Sequence, residues 1–203
     1  MDITLYTSMR KAAVTLAAAI TLATATPATA ADYELNVKPF EELQVVNGIN
    51  VTYRCNTDSA GYVRFSCDPD ISSMVLFSNN KNKLKIELSD EITDAQRQRL
   101  PTVTVFSAFL SKVENSGDST VYIDTPSPAA TFKARIVGNG TLIARGLHAT
   151  TVEGKIATGH GHLVLAGEAQ TVKLNNTGTG TIEAGTIKAT TGRCSIYGTG
   201  SVD

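Results

Sequence analysis

The stretch GTGTIEAG, residues 178–185, decides how the rest of the chain is read. Gly178, Gly180 and Gly185 stand as close together as the glycines of a phosphate-cradling loop. A P-loop, however, ends in Gly-Lys-Ser/Thr, and a dinucleotide fingerprint opens a helix. Neither is present: the continuation, TIEAGTIKATTG over 181–192, alternates like another strand.

The glycines recur instead. From Gly117 to Gly138, Gly159, Gly178 and Gly198 the intervals are 21, 21, 19 and 20. The local strings are GDSTVYI, GNGTLIA, GHGHLVL, GTGTIEA and GTGSVD. Four residues past the glycine stand Val121, Leu142, Leu163, Ile182 and Val202, all branched and apolar. Six past it stand Ile123, Ala144, Leu165 and Ala184. Three past it stand Thr120, Thr141, His162, Thr181 and Ser201. A period near twenty with one apolar strand per copy predicts a parallel β-solenoid, because a single rung cannot bury its own apolar face. Stacked rungs about 4.8 Å apart bury like upon like. The Gly-x-Gly corner is then a bend that a β-carbon would obstruct, and the Thr/Ser column faces water.

The other bounds agree. The 203 residues carry a formal charge of −1 and only 6% aromatics, with no tryptophan. That balance gives no footprint for nucleic acid or an anionic membrane. Arg10 and Lys11 precede an uncharged stretch from Ala12 to Thr26, followed by Ala28-Thr29-Ala30. This pattern predicts a secretory signal over residues 1–30, cut near Ala30 or Ala31, rather than a spanning helix. Cleavage removes Asp2, Arg10 and Lys11 and leaves a net charge of −2 with no transmembrane segment. Export places the protein in the periplasm, at the cell surface or outside the cell, and the sequons at Asn50, Asn139 and Asn175 would matter only in a eukaryotic secretory route.

Residues 31–203 read as a single domain, with a strand-rich half over about 35–102 and rungs over about 103–203. In the first half FEELQVV, NGINVTYRC, YVRFSC and KLKIEL alternate with period two, the half-buried strand signal. They predict irregular antiparallel strands, with one polar helical turn in ITDAQRQRL over 92–100. A hairpin around Asn56–Gly61 would set Cys55 opposite Tyr62, so a Cys55–Cys67 disulfide requires a bulge or wider loop. The alternative is that Cys55, Cys67 and Cys194 are three small buried side chains.

Those pieces carry a resemblance. Gly48-Ile49-Asn50 within LQVVNGINVTY, the KLKIEL strand, the segment PTVTVFSAFLSKVENSGDSTV and the glycine rungs to Val202 follow one another in a familiar order. From about Phe40 onward the sequence resembles the auto-transporter adhesin head family known as the GIN domain, found in exported bacterial proteins. Ser119, where a glycine is usual, and the GHGH rung depart from its pattern. The resemblance implies a right-handed parallel β-helix and a role in adhesion, and it supplies no catalytic residues.

The sharpest polar pair is His160 and His162, which alternation along a strand would place on one face. The aligned Asn139, Thr141, Thr179 and Thr181 are poor zinc ligands, so the pair reads as part of exposed polar ladders rather than a metal site. The exposed ladder expected to bind is Asp118, Asn139, His160, His162, Thr179 and Thr199. Neither catalytic residues nor a cofactor are expected. Asp118, Asp124, Glu153, Glu168 and Glu183 fall at different offsets from their glycines, against the paired carboxylates of a glycan-cleaving enzyme. The reading is an exported, non-enzymatic, adhesion-type binding module whose partner is a glycan or envelope component. The alternatives are a β-helical polysaccharide lyase or hydrolase, and a structural protein that self-associates through an open last rung at Val202-Asp203.

Overall fold

The structure, a computed structural model, describes residues 30–203, so the expected signal segment lies outside the described residues except for Ala30. In chain order the elements are β1 (Ala31–Asn36), β2 (Glu42–Val46), β3 (Val51–Cys55), β4 (Tyr62–Cys67), α1 (Pro69–Ser72), β5 (Val75–Asn80) and β6 (Lys83–Leu88). They continue as α2 (Asp94–Arg97), β7 (Val103–Ser107), β8 (Lys112–Ser116), β9 (Thr120–Thr125), β10 (Ala129–Val137), β11 (Thr141–Thr158) and β12 (His162–Asn176). The last three are β13 (Thr181–Glu183), β14 (Ile187–Ile196) and β15 (Ser201–Val202).

The chain is nearly all β and forms a solenoid of about four turns with antiparallel strands at its start. Two parallel ladders build it. The first runs β7–β3–β9–β11–β12–β13–β15. The second runs β6–β2–β8–β10–β11–β12–β14. β11 and β12 serve both because they bend: their pairing skips residues 145–146 and 150.

Strand register carries like residues onto like. Val103, Val51, Val121, Leu142, Leu163, Ile182 and Val202 form one inward column. All but Val202 are 0–1% exposed. Burying each such Leu or Ile removes apolar surface worth about 1.5–3 kcal/mol. On the second ladder the inward column Leu84, Leu43, Val113, Ala134, Gly154, Leu174 and Cys194 varies in size. Its small members are compensated from across the core. The space a β-carbon on Gly154 would enter is filled by Leu163, Leu165 and Leu174.

Corners between the ladders are tied backbone to backbone. Gly140 N–H donates to the Gly117 carbonyl at 2.8 Å and Thr181 N–H to the Gly161 carbonyl at 3.0 Å. A β-carbon on Gly180 would overlap the Gly161 carbonyl oxygen of the rung beneath. Gly159 is excluded from ordinary residues for a second reason, its φ of 81°. Two buried asparagines brace these bends in the same way. Asn115 Nδ2 donates to the carbonyls of Ser119 and Thr141 at 2.8 and 3.0 Å. Asn176 Nδ2 donates to those of Gly180 and Ser201 at 2.8 and 3.0 Å.

The expected antiparallel strands stand at the start of the chain, and the solenoid begins among them. β1, β4 and β5 pair only antiparallel, with β4 lying against β7 and β5 against β6. β2, β3, β6 and β7 are rungs of the solenoid itself. β3 and β4 form no hairpin, since β7 lies between them, parallel to β3 and antiparallel to β4. This also removes the Cys55–Cys67 bridge. Cys55 pairs with Ser107 at one end of β7, whereas Arg64 already pairs with Thr104 and Cys67 lies three residues further on. The two cysteines are thus separated by roughly 20 Å of strand, far beyond disulfide reach. All three thiols are free, and the reading of three buried side chains fails too: Cys67 is buried, Cys55 half-buried and Cys194 exposed. Burial and the neighbouring Asp68 and Asp70 push the Cys67 thiol up to about 11. The expected helical turn is α2, closed by a capping box between Thr93 and Gln96. Arg99 then bonds both Asp68 and Asp70 beside α1. Inside the first ladder Tyr53 is fully buried, with its hydroxyl 3.1 Å from Ser107 Oγ, and burial pushes it up to about 12.

Replacing Gly180 by alanine is expected to destabilise the protein by about 1–3 kcal/mol through overpacking. Replacing Gly192, whose missing β-carbon would meet nothing within 4 Å, is expected to be nearly neutral. Urea unfolding followed by circular dichroism measures both; equal effects would refute the corner geometry.

Candidate functional site

Because columns stack inward, they also stack outward, and the outward columns define two sheet faces. On the second ladder the strand β10 turns Thr131, Lys133 and Arg135 to solvent while Phe132, Ala134 and Ile136 are buried. The same alternation repeats in each neighbouring strand. Thr131, Thr151, Thr171 and Thr191 therefore form one row of hydroxyls. Beside it Lys112, Lys133, Glu153, Lys173 and Arg193 form a charged row, which continues through Glu42 to Lys83. The next row holds Lys85, Gln44, Glu114, Arg135, Lys155 and Asn175.

On the segments of these seven strands stacked upon residues 131–137, the outward side chains include eight Lys or Arg and four Glu, a net of +4. Each Glu is engaged. Lys112 Nζ meets Glu42 at 3.0 Å, Arg135 meets Glu114 at 3.1 Å, and Lys133 and Lys173 share Glu153 at 3.2 and 3.3 Å. Lys85 pairs with Glu87. Burial alone would raise the Glu153 carboxyl; the two ammonium groups outweigh that and hold it below the ordinary carboxylate range. Lys155 and Arg193 are exposed and form no ion pair among the described residues.

The first ladder's outer face has the opposite balance. Asp32, Glu34, Asp124, Glu183 and Asp203 face out with Arg54, Arg64 and Arg145, a net of −2. Arg54 pairs with Asp124 at 2.9 Å and Arg64 with Glu34 at 2.6 Å.

The residues expected to form a binding ladder are brought to one corner, with one exception. Asp118, Asn139, His160, Thr179 and Thr199 are exposed at the Gly-x-Gly bends. Asn139 Oδ1 accepts the His160 N–H at 3.0 Å, and Thr179 Oγ1 donates to the Gly159 carbonyl at 3.1 Å. These side chains are partly spent on bracing the corner. His162 leaves the bend: it stacks with Thr141 and Thr181 on β11 and β13, and its Nε2 lies 2.8 Å from Glu183 Oε1. No group of three His, Cys, Asp or Glu side chains able to hold a metal occurs among the described residues. Two of the dents in the described surface are wide open to solvent. One, lined by Pro128, His148 and Gln170 among others, holds no carboxylate; the other, around Lys81 and Lys83, holds only Glu42. No helix among the described residues is long and apolar enough to cross a membrane.

The charged rows escaped the sequence reading although a signal existed. Lys133, Glu153, Lys173 and Arg193 stand 20 residues apart without drift. The buried braces Asn115 and Asn176 were also legible, as Asn-x-Gly before the first and fourth corners.

The family description "Putative auto-transporter adhesin, head GIN domain" matches residues 39–203. The chain belongs to this family. Solved structures share the fold of this GIN domain at low identity. A crystal structure named a putative adhesin from Bacteroides fragilis is 17% identical, with a TM-score of 0.67, and the match covers 86% of this chain and 96% of that one. One from Parabacteroides distasonis, also named a putative adhesin, is 16% identical over 87% and 97% of the two chains, with a TM-score of 0.52. Another from the same organism, named a putative lipid binding protein, is 13% identical over 86% and 96%, with a TM-score of 0.50. None of these descriptions names an enzyme. No curated protein matches the chain.

Glu153→Gln should lower stability at pH 7 by up to about 1 kcal/mol, the range of exposed ion pairs. The pairing lowers the folded-state pKa, so its contribution is present above the unfolded carboxylate range and is lost as pH falls through the folded value. In unfolding experiments the difference from wild type should therefore shrink as pH falls from 7 through the carboxylate range; a difference undiminished in acid would contradict the lysine clamp.

Proposed function

We propose that this GIN domain is an exported binding module of adhesion type that holds a glycan or envelope component and performs no chemistry of its own. The observation that carries the reading is the pair of long sheet faces with polar side chains repeated at every rung. A surface of that kind offers many equal contacts to an extended partner and focuses none of them on one bond. The carboxylates are separately clamped by Lys133, Lys173, Arg135 and Lys112 on successive rungs, which disfavours the lyase or hydrolase alternative. Glycoside hydrolysis ordinarily needs two carboxyl groups flanking one bond. The names of the family and of the structural neighbours support adhesion at the same coarse level.

Export is part of the reading. β1 begins at Ala31, directly after the Ala28-Thr29-Ala30 cleavage signal, and Ala31 pairs with Cys67. Cleavage at that point would leave β1 whole. N-terminal sequencing of the protein recovered from the cell envelope or medium is expected to start at Ala31 or Asp32. Recovery only from the cytoplasm, beginning at Met1, would contradict export.

The binding claim is tested with mature protein on a glycan array and on whole bacterial envelopes. Saturable binding to at least one surface, without release of reducing ends or unsaturated sugars, is expected. Binding to none, or product release, would overturn it.

A further inference from the structure

We propose that the Thr- and Lys-lined face of the second ladder binds a linear acidic polysaccharide laid along the solenoid axis. This rests on the adhesion reading above and names its ligand class.

Strand neighbours in one row lie about 4.8 Å apart, and like charges directly opposite are destabilising. Three cation pairs nevertheless stack with no anion between them: Lys112 on Lys133, Arg135 on Lys155, and Lys173 on Arg193. The four Glu of this face pair with Lys85, Lys112, Lys133, Arg135 and Lys173, which leaves Lys155 and Arg193 without an anion in two of these stacks and the face with a net of +4. An anion lying over Lys155 or Arg193 relieves the repulsion in its stack and gains charge-assisted hydrogen bonds.

The geometry selects among polyanions. Seven strands give a flat strip roughly 29 Å long, with cations recurring at rung intervals. One sugar ring spans about one rung, so a chain of uronic acids brings a carboxylate to successive cations. The row of Thr hydroxyls from Thr131 to Thr191 runs alongside and offers donors and acceptors to ring hydroxyls. Single-stranded nucleic acid wants aromatic platforms for its bases, and an inserting lipid surface wants exposed apolar wedges. The outward residues of β10, β11, β12 and β14 on this face include no aromatic side chain. The opposite face, with a net of −2, repels the same ligand, which fixes the side that engages.

The test uses polygalacturonate as the probe, titrated calorimetrically into the mature protein, with neutral dextran, phosphatidylglycerol vesicles and duplex DNA as parallel arms. Binding to polygalacturonate that weakens steeply with salt, and none to dextran, is expected. The variant K155E/R193E replaces two exposed side chains without ion pairs and should weaken that binding at least tenfold with an unchanged unfolding midpoint. R145E, on the opposite face, should leave it unchanged. Equal binding by K155E/R193E, or tighter binding to vesicles or DNA, overturns the inference. Envelope or array binding that persists in K155E/R193E overturns it while leaving the adhesion reading in place; binding to nothing in any arm overturns both.

Discussion

Everything in this structure depends on how closely one corner backbone can approach the next. At Gly180 the rung above rests on the carbonyl of Gly161 with no room for a β-carbon. That approach lets the Thr181 and Thr141 amides donate to the preceding rung, to Gly161 and Ser119, at 3.0 and 2.9 Å. Once corners are in register, so are the strands on both sides of them. Stacking then compels Leu142 onto Leu163 inside and Lys173 onto Arg193 outside. A single constraint thus builds the apolar core and concentrates charge on one face. The asparagines at 115 and 176 hold the bend from within, each joining its own corner to the following rung.

The glycine period made the second half of the chain legible almost residue by residue. The column Val121, Leu142, Leu163, Ile182 and Val202 is paired in the structure as the spacing predicts. The first half hid its role for a physical reason. Its rung partners stand 41 to 70 residues away, as in Glu42 with Lys83, Val51 with Val103, and Arg54 with Asp124. No local period announces such a pairing, and alternation with period two is the same in parallel and antiparallel strands. The insertion of β7 between β3 and β4 is the clearest instance, and it turned an apparent hairpin, with its cysteine pair, into two distant strands.

The candidate site was partly legible and partly masked by its reference frame. Counting from the glycines drew attention to Asn139, His160 and Thr179, which stand at the corner and spend hydrogen bonds on it. The charged rows lie across the corner, where the repeat is a steady 20 residues from Lys133 to Arg193. Net charge concealed them too, because a face of +4 and a face of −2 nearly vanish in a chain of −1. Surface electrostatics of this kind act on encounter and partner choice rather than on the fold.

A direct measurement of the account is amine footprinting of the mature protein with and without polygalacturonate. Acetylation followed by peptide mass analysis reports each lysine separately. The account predicts protection of Lys133, Lys155 and Lys173, with Lys38 and Lys188, which lie off this face, labelled as before. Protection spread evenly over all lysines, or absent from Lys155, would contradict it.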